Sequence, residues 1–296
     1  MTDIYNAVLY TFMSFLGRRL PLSFLYFLGK AAAVIRYFVQ FHMRRTVKEN
    51  LRIVLEYRKK TEGIAYTEKE LQKLVMKTFC NFAQYLADFF YIPKWTADTV
   101  RKKVRVEDIE LLDEGLSHGK GVIALTAHTG NWELAGIAAS LLGYKVSAIS
   151  IPYLNPAVTR IYRTRRNIKG LEVILTGSNP KSILKALKEN RILAVLGDRV
   201  FTEKGTKVKF LGTEIILPRG PATLAVRTGA AFVAGFFLME GRNYKFFFRK
   251  IDKAPQQLSE DKKIDLLIQK GAEVIEKVIL SYPDQWLNFS PLSVTQ

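Results

Sequence analysis

The stretch LTAHTGNWELAG, from Leu125 to Gly136, places His128 five residues before Glu133 at the end of an apolar run. The chain has only three histidines, so this placement asks for a reason. On one continuous helix the two residues would lie about 500° apart, roughly 140° round the axis, and could not face each other. If the strand ends at His128 and a helix opens near Asn131, the intervening turn can fold them together. Gly130 supplies the backbone angles such a turn needs. A carboxylate bonded to one imidazole nitrogen fixes the tautomer and raises basicity at the other, which makes a general base for a hydroxyl. The same residues also fit a structural role, with His128 capping a carbonyl and Glu133 complementing a helix N-terminus. Residue types alone leave both readings open.

A second ionisable pair, Asp198-Arg199, directly follows the apolar run RILAVLG. Open α/β sheets place their sites at such strand ends, against helix amide ends. Other chemistries fail on inventory. The chain contains no HExxH, CxxC, G-x-S-x-G, P-loop or Rossmann glycine fingerprint, and His42 and His118 lie in unrelated contexts. A metal site, a hydrolase nucleophile elbow and a bound cofactor are therefore not expected. With no evident nucleophile, a His–Glu pair points to direct transfer onto a substrate hydroxyl.

The elements that must position these residues can be read from periodicity. Thr67 to Glu70 (TEKE) reads as a capping box. Behind it Leu71, Leu74, Val75, Phe79, Phe82, Leu86, Phe89 and Phe90 recur at helical spacing up to Pro93. After Val104 short apolar runs alternate with helical stretches near 131–142, 155–168 and 180–190, the last with Ser178 or Asn179 as N-cap. This alternation predicts an α/β fold with a central, largely parallel (mixed) sheet flanked by helices. Unbroken apolar runs imply strands covered on both faces. KVKFLGTEIIL reads as a hairpin turning at Gly212-Thr213. A helix from about Gly220, two strands and a closing helix from about Asp261 follow. The organisation expected is apolar, membrane-associating helices over 1–42, a helical segment over 43–103 and an α/β domain over 104–296.

The chain has 296 residues, is 48% hydrophobic and carries a net charge of +18. That charge suits an anionic membrane face, an acidic protein or nucleic acid. Aromatic content of 12% favours the membrane, and no nucleic-acid-binding signature is found. The single cysteine, Cys80, fits a reducing compartment. Ile4 to Gly17 is uncharged and precedes Arg18-Arg19; a second apolar stretch is interrupted by Lys30 and Arg36. Neither reaches spanning length cleanly, and basic residues placed after the apolar region argue against a secretory signal. Helices lying in the membrane interface fit this pattern, as do two helices buried against the domain.

HTGNWE has the H-x4-[DE] pattern of glycerolipid-type acyltransferases, and its Gly-Asn-Trp context resembles the bacterial lipid A biosynthesis (lauroyl/myristoyl) acyltransferase family. Further ordered blocks resemble that family: RRTVKENL, RTRRNIKGLEVI, VLGDRV and VKFLGTEIILPRGPATLAVRTGA. The resemblance implies an O-acyltransferase moving a fatty acyl chain from an acyl thioester, on acyl carrier protein or coenzyme A, to a hydroxyl of a lipid A precursor or related glycolipid. It implies His128 as general base and Glu133 as its orienting partner, with amides near Gly130-Asn131 as oxyanion donors beside Trp132. Arg166, Asp198, Arg199 and the Arg219-Gly220-Pro221 helix start are implied substrate contacts, Arg219 with helix amides offering a phosphate or pantetheine site. The implied location is the cytoplasmic face of a bacterial inner membrane. Family members close with Pro-Glu-Gln-Trp/Tyr followed by Trp, His and paired Arg. Here YPDQWLNFSPL keeps Pro283, Gln285 and Trp286 but continues Asn288-Phe289-Ser290-Pro291. That departure opens a phosphatidylinositol mannoside or a lysophospholipid as alternative acceptor. A reading of another class is a basic membrane- or nucleic-acid-binding protein without catalysis.

Overall fold

A computed structural model describes residues 2–152, 155–177, 180–199 and 205–292; the N-cap expected at Ser178 or Asn179 lies outside them. Four long helices come first: α1 (Thr2–Arg19), α2 (Leu22–Val39), α3 (Phe41–Glu62) and α4 (Glu68–Tyr91). Both bonds of the predicted capping box start α4: the Glu70 amide donates to Thr67 Oγ1 (3.2 Å) and the Thr67 amide to Glu70 Oε2 (2.7 Å). The chain then runs α5 (Ala97–Lys103), β1 (Val104–Glu107), α6 (Glu110–Ser117), β2 (Val122–Thr126), α7 (Trp132–Leu141), β3 (Val146–Ser150) and α8 (Pro156–Asn167). After these come β4 (Glu172–Leu175), α9 (Lys181–Lys188), β5 (Ile192–Leu196), β6 (Thr206–Phe210), β7 (Thr213–Leu217), α10 (Gly220–Thr228), β8 (Ala231–Glu240), β9 (Asn243–Lys250) and α11 (Glu260–Ser281).

Seven strands form one sheet in the order β1-β9-β8-β2-β5-β3-β4. Only the β8–β9 pair is antiparallel, so the sheet is the largely parallel, mixed one expected. The short, half-charged β1 (VRVE) lacks an apolar run and was not foreseen; it is an edge strand, where one face can stay wet. The hairpin β6–β7 stands apart from the sheet. It turns at Leu211-Gly212, one residue earlier than predicted. Both turn residues have positive φ (50° and 75°), as a two-residue hairpin loop requires, and Thr213 is already paired with Phe210.

Pleating sorts the core into two layers. Ile123 and Leu125 of β2 face the hairpin, α10 and α11, among Phe210, Ile215, Ala225, Ile268 and Ile275. Val122 and Ala124 face α7, α8 and the end of α4, among Leu134, Ile137, Tyr162, Phe89 and Phe90. Strands β2 and β8 are thus enclosed on both faces, which is why they read as continuous apolar runs. A third cluster, with Ala33, Leu51, Leu55, Val75 and Phe79, joins α2, α3 and α4.

The first two helices leave much apolar surface open. Phe12 and Phe15 on α1 are exposed, as are Phe24, Phe27, Ile35, Phe38 and Val39 on α2. Helix α2 is long and apolar enough to cross a membrane by length and composition, with mean hydropathy 1.4, and only 11% of it is buried. This revises the expectation that neither apolar stretch reaches that length: Lys30 and Arg36 lower the hydropathy without breaking the helix.

Phe237 tests the central packing. It is fully buried in β8, between the rings of Tyr244 and Phe246, and its carbonyl accepts the Asn131 amide (2.8 Å). Phe237→Ala is expected to lower unfolding free energy by about 3–5 kcal/mol in a denaturant titration.

Candidate active site

Strand register builds the site. Thr126 of β2 pairs with Leu196 of β5, and the Gly197 amide extends the ladder to the Thr126 carbonyl (2.8 Å). Two residues beyond Thr126 is His128, and two beyond Leu196 is Asp198. Adjacent parallel strands therefore deliver the two side chains together: His128 Nδ1 lies 2.8 Å from Asp198 Oδ1. The other carboxylate oxygen accepts the His128 amide (3.1 Å) and the Trp286 indole N–H (3.2 Å). Burial by itself raises the pKa of Asp198. The charge and hydrogen bonds of His128, with the charge of Arg199, outweigh it and hold the carboxyl well below the usual carboxylate range. An ionised Asp198 only accepts, so Nδ1 keeps its proton in either charge state of the ring, and when the ring is neutral the lone pair lies on Nε2. Asp198 is fully enclosed, whereas 12% of the His128 side chain reaches solvent.

Glu133 is not the partner of His128. It lies in the first turn of α7, buried, and takes Arg166 in a two-point ion pair: Nε to Oε2 at 2.7 Å and Nη2 to Oε1 at 2.6 Å. Arg166, near the end of α8, also donates from Nη1 to Ser150 Oγ (2.9 Å) at the end of β3. The pair bolts α7 to α8 and β3. The expectation of a His128–Glu133 pair is corrected by register: β5 inserts between β2 and β3, so its own end residue occupies the imidazole's side.

Gly130 makes the corner as expected, with φ +64°. A Cβ there would stand 2.1 Å from the Phe237 carbonyl oxygen. The amides of Gly130 and Asn131 donate to the Gln285 and Phe237 carbonyls, both at 2.8 Å. Both amides are engaged in these bonds and are not open to a further acceptor. The next two amides, at Trp132 and Glu133, open α7 and have no acceptor among the described residues. Asn131 caps α7, its Oδ1 accepting from the Leu134 amide (3.1 Å), while its Nδ2 donates to the buried Asp88 (3.1 Å). Trp132 meets His128 edge-on at 4.9 Å and stacks on Tyr85 at 4.3 Å.

Arg199 points to the C-terminal segment, its Nη2 donating to the Leu287 carbonyl (2.8 Å), and it makes no hydrogen bond to Asp198. Burial lowers its pKa, with the Asp198 charge acting against that. Arg219 is ion-paired with Asp261 (2.8 Å) and Asp265 (2.9 Å) of α11. Any phosphate at the Gly220-Pro221 helix start competes with those two carboxylates. The C-terminal segment was missed as part of the site. Besides Trp286, the Leu287 amide donates to the His128 carbonyl (2.7 Å), and Gln285 bonds Met239 of β8 through both side-chain ends. The available signal was the retained Pro283, Gln285 and Trp286. Asn50, from RRTVKENL, holds the carbonyls of Asn288 and Ser290 (3.1 and 2.9 Å).

The model of the family described as bacterial lipid A biosynthesis acyltransferase matches residues 1–292. The chain belongs to that family. It is an acyltransferase, and its substrates are an acyl donor and a lipid or glycolipid acceptor. Among similar proteins, the phosphatidylinositol mannoside acyltransferase of Mycolicibacterium smegmatis is 27% identical over 223 residues, covering 74% of this chain and 71% of the relative. Two sequences of that name from Mycobacterium tuberculosis (strains CDC 1551 / Oshkosh and ATCC 25618 / H37Rv) are each 25% identical over 217 residues, covering 71% of this chain and 67% of theirs.

Two substitutions separate structure from chemistry here. Glu133→Gln removes the carboxylate charge that the buried Arg166 meets in its two-point pair. It should destabilise the fold by about 3–5 kcal/mol in chemical denaturation. Gly130→Ala combines a left-handed backbone, which costs about 1–2 kcal/mol, with a clash against strand β8. Loss of transfer activity with retained helical circular dichroism is the expected result.

Proposed function

We propose that this acyltransferase moves a fatty acyl chain from an acyl thioester, on acyl carrier protein or coenzyme A, to a sugar hydroxyl of a membrane glycolipid, with His128 as general base and Asp198 as its orienting partner. One observation carries the mechanism: Nδ1 of His128 is bonded to an ionised, enclosed carboxylate, which leaves Nε2 as the basic atom at the strand end. Nε2 takes the proton of the acceptor hydroxyl as its oxygen attacks the thioester carbonyl. The imidazolium is stabilised by Asp198 beside it. The tetrahedral oxyanion collapses, the C–S bond breaks, and the departing thiolate takes the proton back from Nε2. The products are an ester and a free thiol. The open amides of Trp132 and Glu133 at the positive end of α7 are the donors suited to the oxyanion. General-base catalysis of this kind contributes about 10²–10⁴-fold.

The exposed apolar faces of α1 and α2 support docking at a membrane, where a glycolipid acceptor resides. The net charge of +18 suits anionic lipid and an acidic carrier. A glycolipid acceptor of the phosphatidylinositol mannoside type is favoured over a lipid A precursor by the three relatives and by the altered Asn288-Phe289-Ser290-Pro291 ending. The inner membrane's cytoplasmic face is the location this reading implies.

Membranes carrying the His128→Ala variant should lose transfer from a labelled acyl donor while still sedimenting with the protein; undiminished transfer would overturn the mechanism. Asp198→Asn should reduce kcat by about 10²-fold or more, since the amide cannot hold the same tautomer or stabilise the imidazolium. Mass spectrometry of lipids from a strain lacking the protein identifies the acceptor by the acyl mass it no longer carries.

A further inference from the structure

Asp88 lies near the end of α4 with no exposed surface and makes no ion pair among the described residues. A buried carboxylate without a cation is expensive, and a neutral side chain of similar size would satisfy packing better. Its bonds point to a different use. Oδ1 accepts the Tyr26 hydroxyl of α2 at 2.6 Å, and Oδ2 accepts Nδ2 of Asn131 at 3.1 Å. The Tyr244 hydroxyl of β9 stands 3.0 Å from that of Tyr26. In its ionised form Asp88 accepts only, and so dictates which end of the Asn131 amide faces it. With Nδ2 held by Asp88, Oδ1 is turned onto the Leu134 amide, which caps α7 directly after the glycine bend.

We propose that Asp88 is a positioning residue for acyl transfer: through Tyr26 and Asn131 it ties the seating of α2 to the corner that carries His128. The proposal rests on the His128 mechanism given above. Helix α2 is the apolar, mostly exposed element, so its docking against α4 is the part of the molecule that a membrane can alter. The chain Tyr244–Tyr26–Asp88–Asn131 is complete only when α2 lies in place. Removing the Tyr26 hydroxyl leaves Asp88 short of its shortest bond, and the Asn131 amide loses a fixed orientation.

Burial pushes Asp88 up to about 7, opposed by hydrogen bonds from Tyr26, Tyr244 and Asn131 and by the charge of Lys103. In the unfolded chain the group ionises near 4. Between about 4 and 7 the folded state therefore binds more protons, and stability falls as pH rises through that window. Asp88→Asn removes this loss, so its Tm should equal or exceed the parent's above pH 7.

The test uses full-length protein in vesicles containing an extract of the membrane glycolipids, with a labelled acyl thioester. Asp88→Asn should lower kcat at least tenfold with the donor KM within twofold and Tm not reduced at pH 8. Tyr26→Phe should lower kcat several-fold, and the double variant should be no slower than Asp88→Asn alone. His128→Ala is assayed alongside. If His128→Ala is inactive and Asp88→Asn keeps kcat within twofold of the parent, Asp88 is not a positioning residue and the mechanism stands. Multiplicative losses in the double variant would equally overturn the link to α2. Should Asp88→Asn fail to fold, Tyr26→Phe decides: parental kcat sinks the proposal. If His128→Ala stays active, the acyl-transfer mechanism itself has failed.

Discussion

The hydrogen-bonded register between β2 and β5 is the constraint on which the site depends. It sets Thr126 opposite Leu196, and the His128–Asp198 pair forms two residues further on. A shift of one residue would turn either His128 or Asp198 to the other face of the sheet. Register is protected by what lies on those faces: Ile123 and Leu125 in one core layer, Val122 and Ala124 in the other. The dyad is therefore held in place by apolar packing far larger than its own hydrogen bonds.

Two acidic residues with different surroundings divide the work. Asp198 is held ionised by the imidazole and by Arg199, and it gives its oxygens to His128 and Trp286. Glu133 is neutralised by Arg166 and fixes the direction in which α7 leaves the corner. One places charge beside the His128 imidazole and the other holds the frame. The C-terminal segment closes this frame from the opposite side. Its backbone bonds the carbonyl of His128 and the amide of Gly130, while Asn50 of α3 secures its far end.

Much of the fold was legible in the residues. Alternating apolar runs and helical stretches, the TEKE capping box and the KVKFLGTEIIL hairpin each depend on interactions within a few positions. The largely parallel sheet followed from them. The edge strand β1 was not legible, because its alternation of valine and charge lasts only four residues and directly follows a helix. The hairpin turn was misplaced by one residue, since positive φ at Leu211 is imposed by the two-residue loop rather than by a preference of leucine.

The chain's local chemistry by itself determined the scarce histidine at a strand end, the glycine bend at Gly130 and the ionisable pair Asp198-Arg199 at a second strand end. Each follows from backbone rules acting between near neighbours. Only tertiary structure decided which carboxylate serves the imidazole. Glu133 is five residues away along the chain and Asp198 seventy, yet strand order places the distant one alongside. The insertion of β5 between β2 and β3 is a packing decision of the whole sheet, and no spacing within HTGNWE encodes it. The same holds for Trp286, whose indole reaches Asp198 only because the C-terminal segment folds back along the end of β2.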